Sequence, residues 1–190
     1  MEPTEIKKAI ECIIFISDQP VSVDKLQQVF TELERGEIKK CVKELVQDWE
    51  ELGRGVVLEE VAGGYQFRTD PAYSEYVTNF NKRVKKFRLS RAALEVIAII
   101  AYKQPVTKVE VENIRGVDSS GVINALLERR ILEIKGRKEV IGKPFLYGTT
   151  PEFLEVFGLK SLSDLPTLKE IDEISKNLEP GITSIPEELS

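Results

Sequence analysis

The sequence predicts an α+β protein, mainly α, built from two tandem copies of one small unit. Three observations predict it. At an offset of 85 residues, Ile14, Gln19, Pro20 and Val21 fall on Ile99, Gln104, Pro105 and Val106. Ser22 falls on Thr107, and Leu26 and Val29 fall on Val111 and Ile114. A second echo follows in the same order at an offset of 80, where Thr69, Asp70, Pro71 and Glu75 match Thr149, Thr150, Pro151 and Glu155. Between the echoes, each copy passes from apolar residues at helical spacing to short β-rich runs broken by glycine.

In the first copy, Ile6, Ala9, Ile10, Ile13 and Ile14 predict a helix that Pro20 closes, since the residue before a proline is pushed out of the α region. Ser22 is placed to cap a second helix whose expected buried stripe is Leu26, Val29, Phe30 and Leu33. A third helix is expected after Gly36, with Ile38, Val42, Leu45, Val46, Trp49 and Leu52 on one face, ending at Gly53-Arg54-Gly55. Val56, Val57, Leu58 and Val61 read as a strand, Gly63-Gly64 as its turn, and Tyr65, Phe67 and Thr69 as the return strand.

The second copy repeats the order. Ser90 can cap a helix reaching Tyr102, and Thr107 with Glu110 forms a capping box for the next, with Val109, Val111 and Ile114 as its stripe. Ser119 or Ser120 starts a third helix through Ile123, Leu126, Leu127 and Ile131. Strands follow around 132–134 and 144–147, joined by a longer loop with Gly136 and Gly142. Each hairpin exits through a cap residue and a proline at the first helical position, where a missing N–H costs nothing. Three helices and a hairpin within about 70–75 residues is a winged-helix plan. The expected organisation is a winged-helix domain over 1–80, a basic linker over 81–89, a second winged-helix domain over 90–166, and a flexible acidic tail over 167–190, where aromatics disappear.

Bulk properties narrow the function. There is no histidine, which removes the usual proton shuttle and the commonest zinc ligand. The two cysteines, Cys12 and Cys41, fall in expected helices and read as small buried thiols. No phosphate-cradling G-x-x-x-x-G-K-[ST] loop is present, and carboxylate pairs such as Glu50-Glu51 and Glu59-Glu60 fall on expected exposed faces. The chain therefore reads as a non-enzyme with no cofactor. With no apolar run of membrane-spanning length and an acidic, signal-free start, it is expected in the cytoplasm.

Charge divides the copies. Residues 1–80 hold 9 Lys and Arg against 16 Asp and Glu, whereas residues 81–160 hold 16 against 9. One copy is at −7 and the other at +7, so they are expected to meet different surfaces. The third helix of the first copy carries Glu37, Glu44, Asp48, Glu50 and Glu51, which a duplex would repel. That of the second offers only Asn124 near its start as a base reader. The competing reading, a DNA-binding transcriptional regulator, is thereby disfavoured. The densest basic cluster, Lys82, Arg83, Lys85, Lys86 and Arg88, is either a solvated connector or a patch that meets DNA phosphates or an acidic partner, and Phe80, Val84 and Phe87 interleave with it at near-helical spacing, as in a helical continuation.

The second copy carries a resemblance. The stretches 89–95 (LSRAALE), 98–107 (AIIAYKQPVT) and 114–117 (IRGV) resemble the segregation and condensation protein B family. The wing stretches 136–140 (GRKEV) and 142–150 (GKPFLYGTT) are similar to the same family, as are Phe153-Leu154, Phe157-Gly158-Leu159 and Asp164-Leu165-Pro166. Lys143 stands where arginine is common in that family. The resemblance covers about 5–166. It implies a non-catalytic, nucleoid-associated subunit of the bacterial SMC–kleisin condensin complex. That subunit is a homodimer that grips the middle segment of the kleisin, segregation and condensation protein A. Through the kleisin it meets the SMC ATPase, with DNA contact indirect or weak and non-specific, in support of chromosome condensation and segregation.

The residues suggest where such contacts fall. The first helix carries apolar side chains on more than one face, and a helix apolar all round is buried all round. Ile10, Ile13, Phe15 and Ile16 are the candidates for dimerisation. In the basic copy, Arg91, Tyr102, Lys103, Arg115, Arg137, Lys138 and Tyr147 are the candidates for kleisin binding, although each taken singly reads more readily as solvated charge or a structural aromatic.

Overall fold

The computed structural model describes residues 2–80, 89–167 and 170. It is a mixed, mainly helical structure with two small sheets and two separate hydrophobic cores, one per repeat. No helix among the described residues is long and apolar enough to cross a membrane.

The first repeat runs α1 (Pro3–Ile16), α2 (Val23–Val29), α3 (Arg35–Glu51), β1 (Val56–Val61) and β2 (Gly64–Thr69). Ser22 caps α2 as expected, its hydroxyl accepting from the Lys25 N–H at 3.2 Å. The α3 helix starts before Gly36, because the Glu37 carboxylate reaches back to the Glu34 N–H at 2.8 Å and satisfies a first-turn donor. Ile10, Leu26, Ile38 and Val42 are fully buried where α1, α2 and α3 meet. Val29 and Leu52, expected in the buried stripes, are more than half exposed. A seven-residue helix such as α2 turns few positions inward, and Leu26 takes the central one.

The hairpin turn is Ala62-Gly63, not Gly63-Gly64: Val61 pairs with Gly64, and both turn residues are left-handed, at φ 50° and 71°. Gly64 answers a different demand. Its backbone passes so close to residues 20–21 that a Cβ there would lie 2.9 Å from the carbonyl carbons of Pro20 and Val21. That approach lets Val21 and Tyr65 exchange two backbone hydrogen bonds at 2.9 Å.

The second repeat runs α5 (Arg91–Lys103), β3 (Val106–Thr107), α6 (Lys108–Arg115), α7 (Ser120–Glu128), β4 (Leu132–Arg137) and β5 (Phe145–Thr149). The sequence echo is a structural one. Val106 pairs with Tyr147 as Val21 pairs with Tyr65, but here the pairing extends to Thr107 and makes a third strand, in the order β3-β5-β4. The repeated Gln-Pro acquires a reason in this copy: the Gln104 amide accepts from the Thr149 N–H at 2.8 Å and donates to the Thr149 hydroxyl at 3.0 Å. Val109 and Ile114, expected as stripe residues, are exposed, and α6 buries Val111 alone.

The exits differ. Thr150 caps α8 (Pro151–Phe157) by accepting from the Phe153 N–H, and Phe153 enters the second core, 2% exposed. Asp70 caps a single 3₁₀ turn (Pro71–Tyr73) leading to α4 (Ser74–Phe80), which buries no residue. Cys12 is exposed and Cys41 half-buried, both free, which corrects the expectation of two buried thiols. Val84 and Phe87, expected to continue a helix from Phe80, lie outside the described residues.

Candidate partner-binding surfaces

The first repeat carries an aromatic belt. Phe15, at the end of α1, stands edge-on to Phe67 of β2 with ring centres 6.0 Å apart, and Phe67 meets Trp49 of α3 at 4.8 Å. Such edge-to-face pairs add roughly 0.5–1.5 kcal/mol to simple burial. The Trp49 indole N–H donates to the Glu11 carboxylate at 3.0 Å, and the Arg54 guanidinium lies over the indole, 5.6 Å from its centre. Past Gly55, against which the Tyr73 ring packs, Tyr73, Tyr76 and Phe80 follow at spacings of three and four on one helical face. Phe80 is 90% exposed, Phe15 77% and Ile16 78%. Large exposed apolar side chains on an acidic repeat make this face a candidate partner surface.

The second repeat offers a different surface, a cleft of 340 Å³ between α6, α7 and the β4–β5 hairpin. Val109, Pro144 and Phe145 supply its apolar wall, and Lys108, Ser120 and Asn124 its polar edge. The strand face that packs on the helices overruns them here, which leaves Phe145 and Ile134 partly open. Arg137 stacks on Phe145 at 4.1 Å and donates to the Lys143 carbonyl. Lys138 pairs at 2.6 Å with Glu110, the capping-box carboxylate of α6. That lysine, followed by the Thr107 N–H and hydroxyl, holds the Glu110 carboxyl down at about 2.

The model of the family described as "Segregation and condensation complex subunit ScpB" matches residues 8–168. The chain belongs to this ScpB family. Among curated relatives, segregation and condensation protein B of Myxococcus xanthus is 50% identical over 171 residues, 90% of this chain and 51% of its own length. That of Syntrophotalea carbinolica is 46% identical over 179 residues, 94% of this chain and 90% of its own. The chain thus spans about half of the first relative and nearly all of the second. Among solved structures, ScpB from Mycobacterium tuberculosis is 28% identical, with a TM-score of 0.41 over 84% of this chain and 98% of that one. A dimer of the ScpB N-terminal domain complexed with ScpA peptide is 26% identical, with a TM-score of 0.37 over 40% of this chain and 95% of that one.

The residues expected at partner contacts divide. Ile10 is buried to 0% exposure and is consumed by its own core, so it offers no dimer surface. Ile13 is half-buried against the same core, and Phe15 and Ile16 remain open. Tyr147 is 8% exposed and belongs to the second core. Arg115, whose side chain is also 8% exposed, bonds Ser119 at 2.8 Å and Glu95 at 3.1 Å and ties α5 to the α6–α7 turn. Arg115 thus serves as an internal support, and Tyr147 packs in the core with its remaining surface on the cleft.

Arg91 stays exposed, 3.4 Å from Glu95. Lys103 is exposed, and Tyr102, 42% exposed, donates its hydroxyl to the Pro166 carbonyl at 2.5 Å. Of the seven, Tyr147 lines the cleft, Arg137 stacks on its Phe145, and Lys138 pairs with Glu110 of α6. Lys82, Arg83, Lys85 and Lys86 lie outside the described residues, as does most of the expected tail. The sequence reading missed Phe145 and the aromatics of α4. The three-four spacing of Tyr73, Tyr76 and Phe80 was a signal that could have found the latter.

Proposed function

We propose that this chain is the non-catalytic ScpB subunit of a bacterial SMC–kleisin condensin complex, working as a homodimer that holds segregation and condensation protein A. The observation that carries this reading is the family match over 8–168, which takes in both repeats. In this reading each repeat is a winged-helix domain, over 1–80 and 90–166. The acidic first domain dimerises through the aromatic belt, since an isologous twofold contact is the commonest use of one self-complementary patch. The basic second domain takes the kleisin segment in the cleft beside Phe145, where Arg137, Lys138 and Lys108 favour an acidic, apolar-anchored peptide. DNA is met indirectly, through the assembled complex at the nucleoid.

Calorimetric titration of the full chain with the middle segment of its kleisin tests the proposal. Saturable binding with a defined stoichiometry is expected, and Phe145→Ala together with Lys138→Glu weakens it at least tenfold. Absence of heat and of any shift in gel filtration refutes it.

A further inference from the structure

A two-residue turn with both residues left-handed directs its two central N–H groups outward, away from the hairpin, where they are ordinarily left to water. In this chain they are not. The Ala62 N–H donates to the Leu159 carbonyl at 2.8 Å, and the Gly63 N–H donates to the Lys160 carbonyl at 3.0 Å. Two consecutive donors at the tip of the first repeat's hairpin thus meet two consecutive acceptors on the exit peptide of the second.

The acceptors are presented by the end of α8. Gly158 is left-handed, at φ 67°, and turns the chain out of the helix, while the Leu159 N–H bonds back to the Leu154 carbonyl at 2.9 Å. Leu159 is anchored by packing against the second core, and its carbonyl and the next face the turn. Side chains flank the meeting on both sides. The Gln66 amide donates to the Glu155 carboxylate at 3.0 Å, and Lys160 lies 3.9 Å from Glu60. A Cβ on residue 158 would sit 3.4 Å from the Arg68 guanidinium, so the exit peptide lies close along β2.

Among the described residues, the second repeat's hairpin makes no comparable contact. Its longer loop bonds within itself, Lys138 to Pro144 and Lys143 to Val140, and Ile141 at its tip is fully exposed. The short first hairpin is the one shaped for this contact.

We infer that the turn Ala62-Gly63 is a latch, which holds the second repeat in one orientation to the first by capturing the Leu159 and Lys160 carbonyls, and whose release lets the repeats reorient. The bonds of the joint are polar, two between backbones and two between side chains. Such a contact opens without unfolding either core. It also sets the width of a 490 Å³ groove beside it, whose walls come from both repeats: Val46, Val57 and Tyr65 on one side, Gly158 and Lys160 on the other. A partner that seats in the latched form shifts the population toward it.

Amide hydrogen exchange on the full chain, read residue by residue by NMR, tests the latch. The Ala62 and Gly63 amides are expected to exchange at least about tenfold more slowly than unprotected peptide amides. In a variant with two glycines inserted between Ala62 and Gly63, both amides return to the unprotected rate and the small-angle scattering profile broadens. The core amides of Ile10 and Val111 keep their protection in that variant, which shows that both repeats remain folded. The inference is overturned if Ala62 and Gly63 exchange at the unprotected rate in the native chain. It is equally overturned if the insertion leaves the scattering profile unchanged.

Discussion

Replacing Glu110 by glutamine isolates one charge that ties the α6 cap to the loop after β4. Its carboxylate accepts from the Thr107 N–H at 2.8 Å and the Thr107 hydroxyl at 2.7 Å, and pairs with Lys138 at 2.6 Å. Lys138 foremost, then Thr107, lowers the carboxyl from its ordinary 4.5 to about 2. A folded-state pKa below the unfolded one contributes stability that is fully present above the unfolded value. That stability is lost as pH falls from about 4.5 toward 2. At about 1.4 kcal/mol for each tenfold change in proton affinity, the ceiling is about 3 kcal/mol. The Glu110 and Lys138 side chains are 42% and 43% exposed, so solvent screening brings the expected contribution to about 1–2 kcal/mol. Urea unfolding of the native chain and of Glu110→Gln at pH 6 and pH 3 measures it. The gap between the two is expected to be about 1–2 kcal/mol at pH 6 and to shrink by half or more at pH 3. An equal gap at both pH values would refute the reasoning, because it would mean that glutamine costs shape and not charge.

Other substitutions separate core from surface. Ile10→Ala is expected to cost about 2–5 kcal/mol, since it opens a cavity in the first core, whereas Phe15→Ala costs less than about 1 kcal/mol of monomer stability; denaturation at low protein concentration compares them. Gly64→Ala drives a Cβ against the backbone of residues 20–21 and is expected to destabilise the first repeat by about 1–3 kcal/mol, with the second unaffected in its own exchange pattern. Gln104→Ala leaves the Thr149 N–H without its amide acceptor in a half-buried site and is expected to cost about 1–3 kcal/mol, with faster exchange at Thr149 as the local readout.

What the sequence made legible was mostly what short-range chemistry dictates. Ser22, Ser90, Thr107 and Thr150 cap helices where they were expected to, because a side-chain oxygen before an apolar run has few other uses. The echo at an offset of 85 is a shared backbone contact, Val21 to Tyr65 and Val106 to Tyr147. What was not legible depends on which side of an element faces in. Val29 and Ile114 occupy equivalent places in the two copies and are both exposed, because α2 and α6 are too short to turn three apolar positions inward.

The candidate site was read less well for the same reason. Arg115 and Tyr147 have the residue types of a binding surface, yet the former is spent on Glu95 and Ser119 and the latter on the core. The strand β3, two residues long, carries no periodicity to detect. The glycines at 63 and 64 suggested one turn, but only Gly63 serves it, and Gly64 serves a crowded backbone crossing.

The central claim is that one copy meets its twin and the other the kleisin. Light scattering of the full chain eluting from gel filtration, alone and with purified segregation and condensation protein A, tests it most directly. The account predicts a species of twice the 21.5 kDa chain mass when alone, and a larger complex with the kleisin. It also predicts that Phe15→Asp with Tyr76→Asp reduces the first species to monomer. A 21.5 kDa monomer that leaves the kleisin peak unmoved would contradict it.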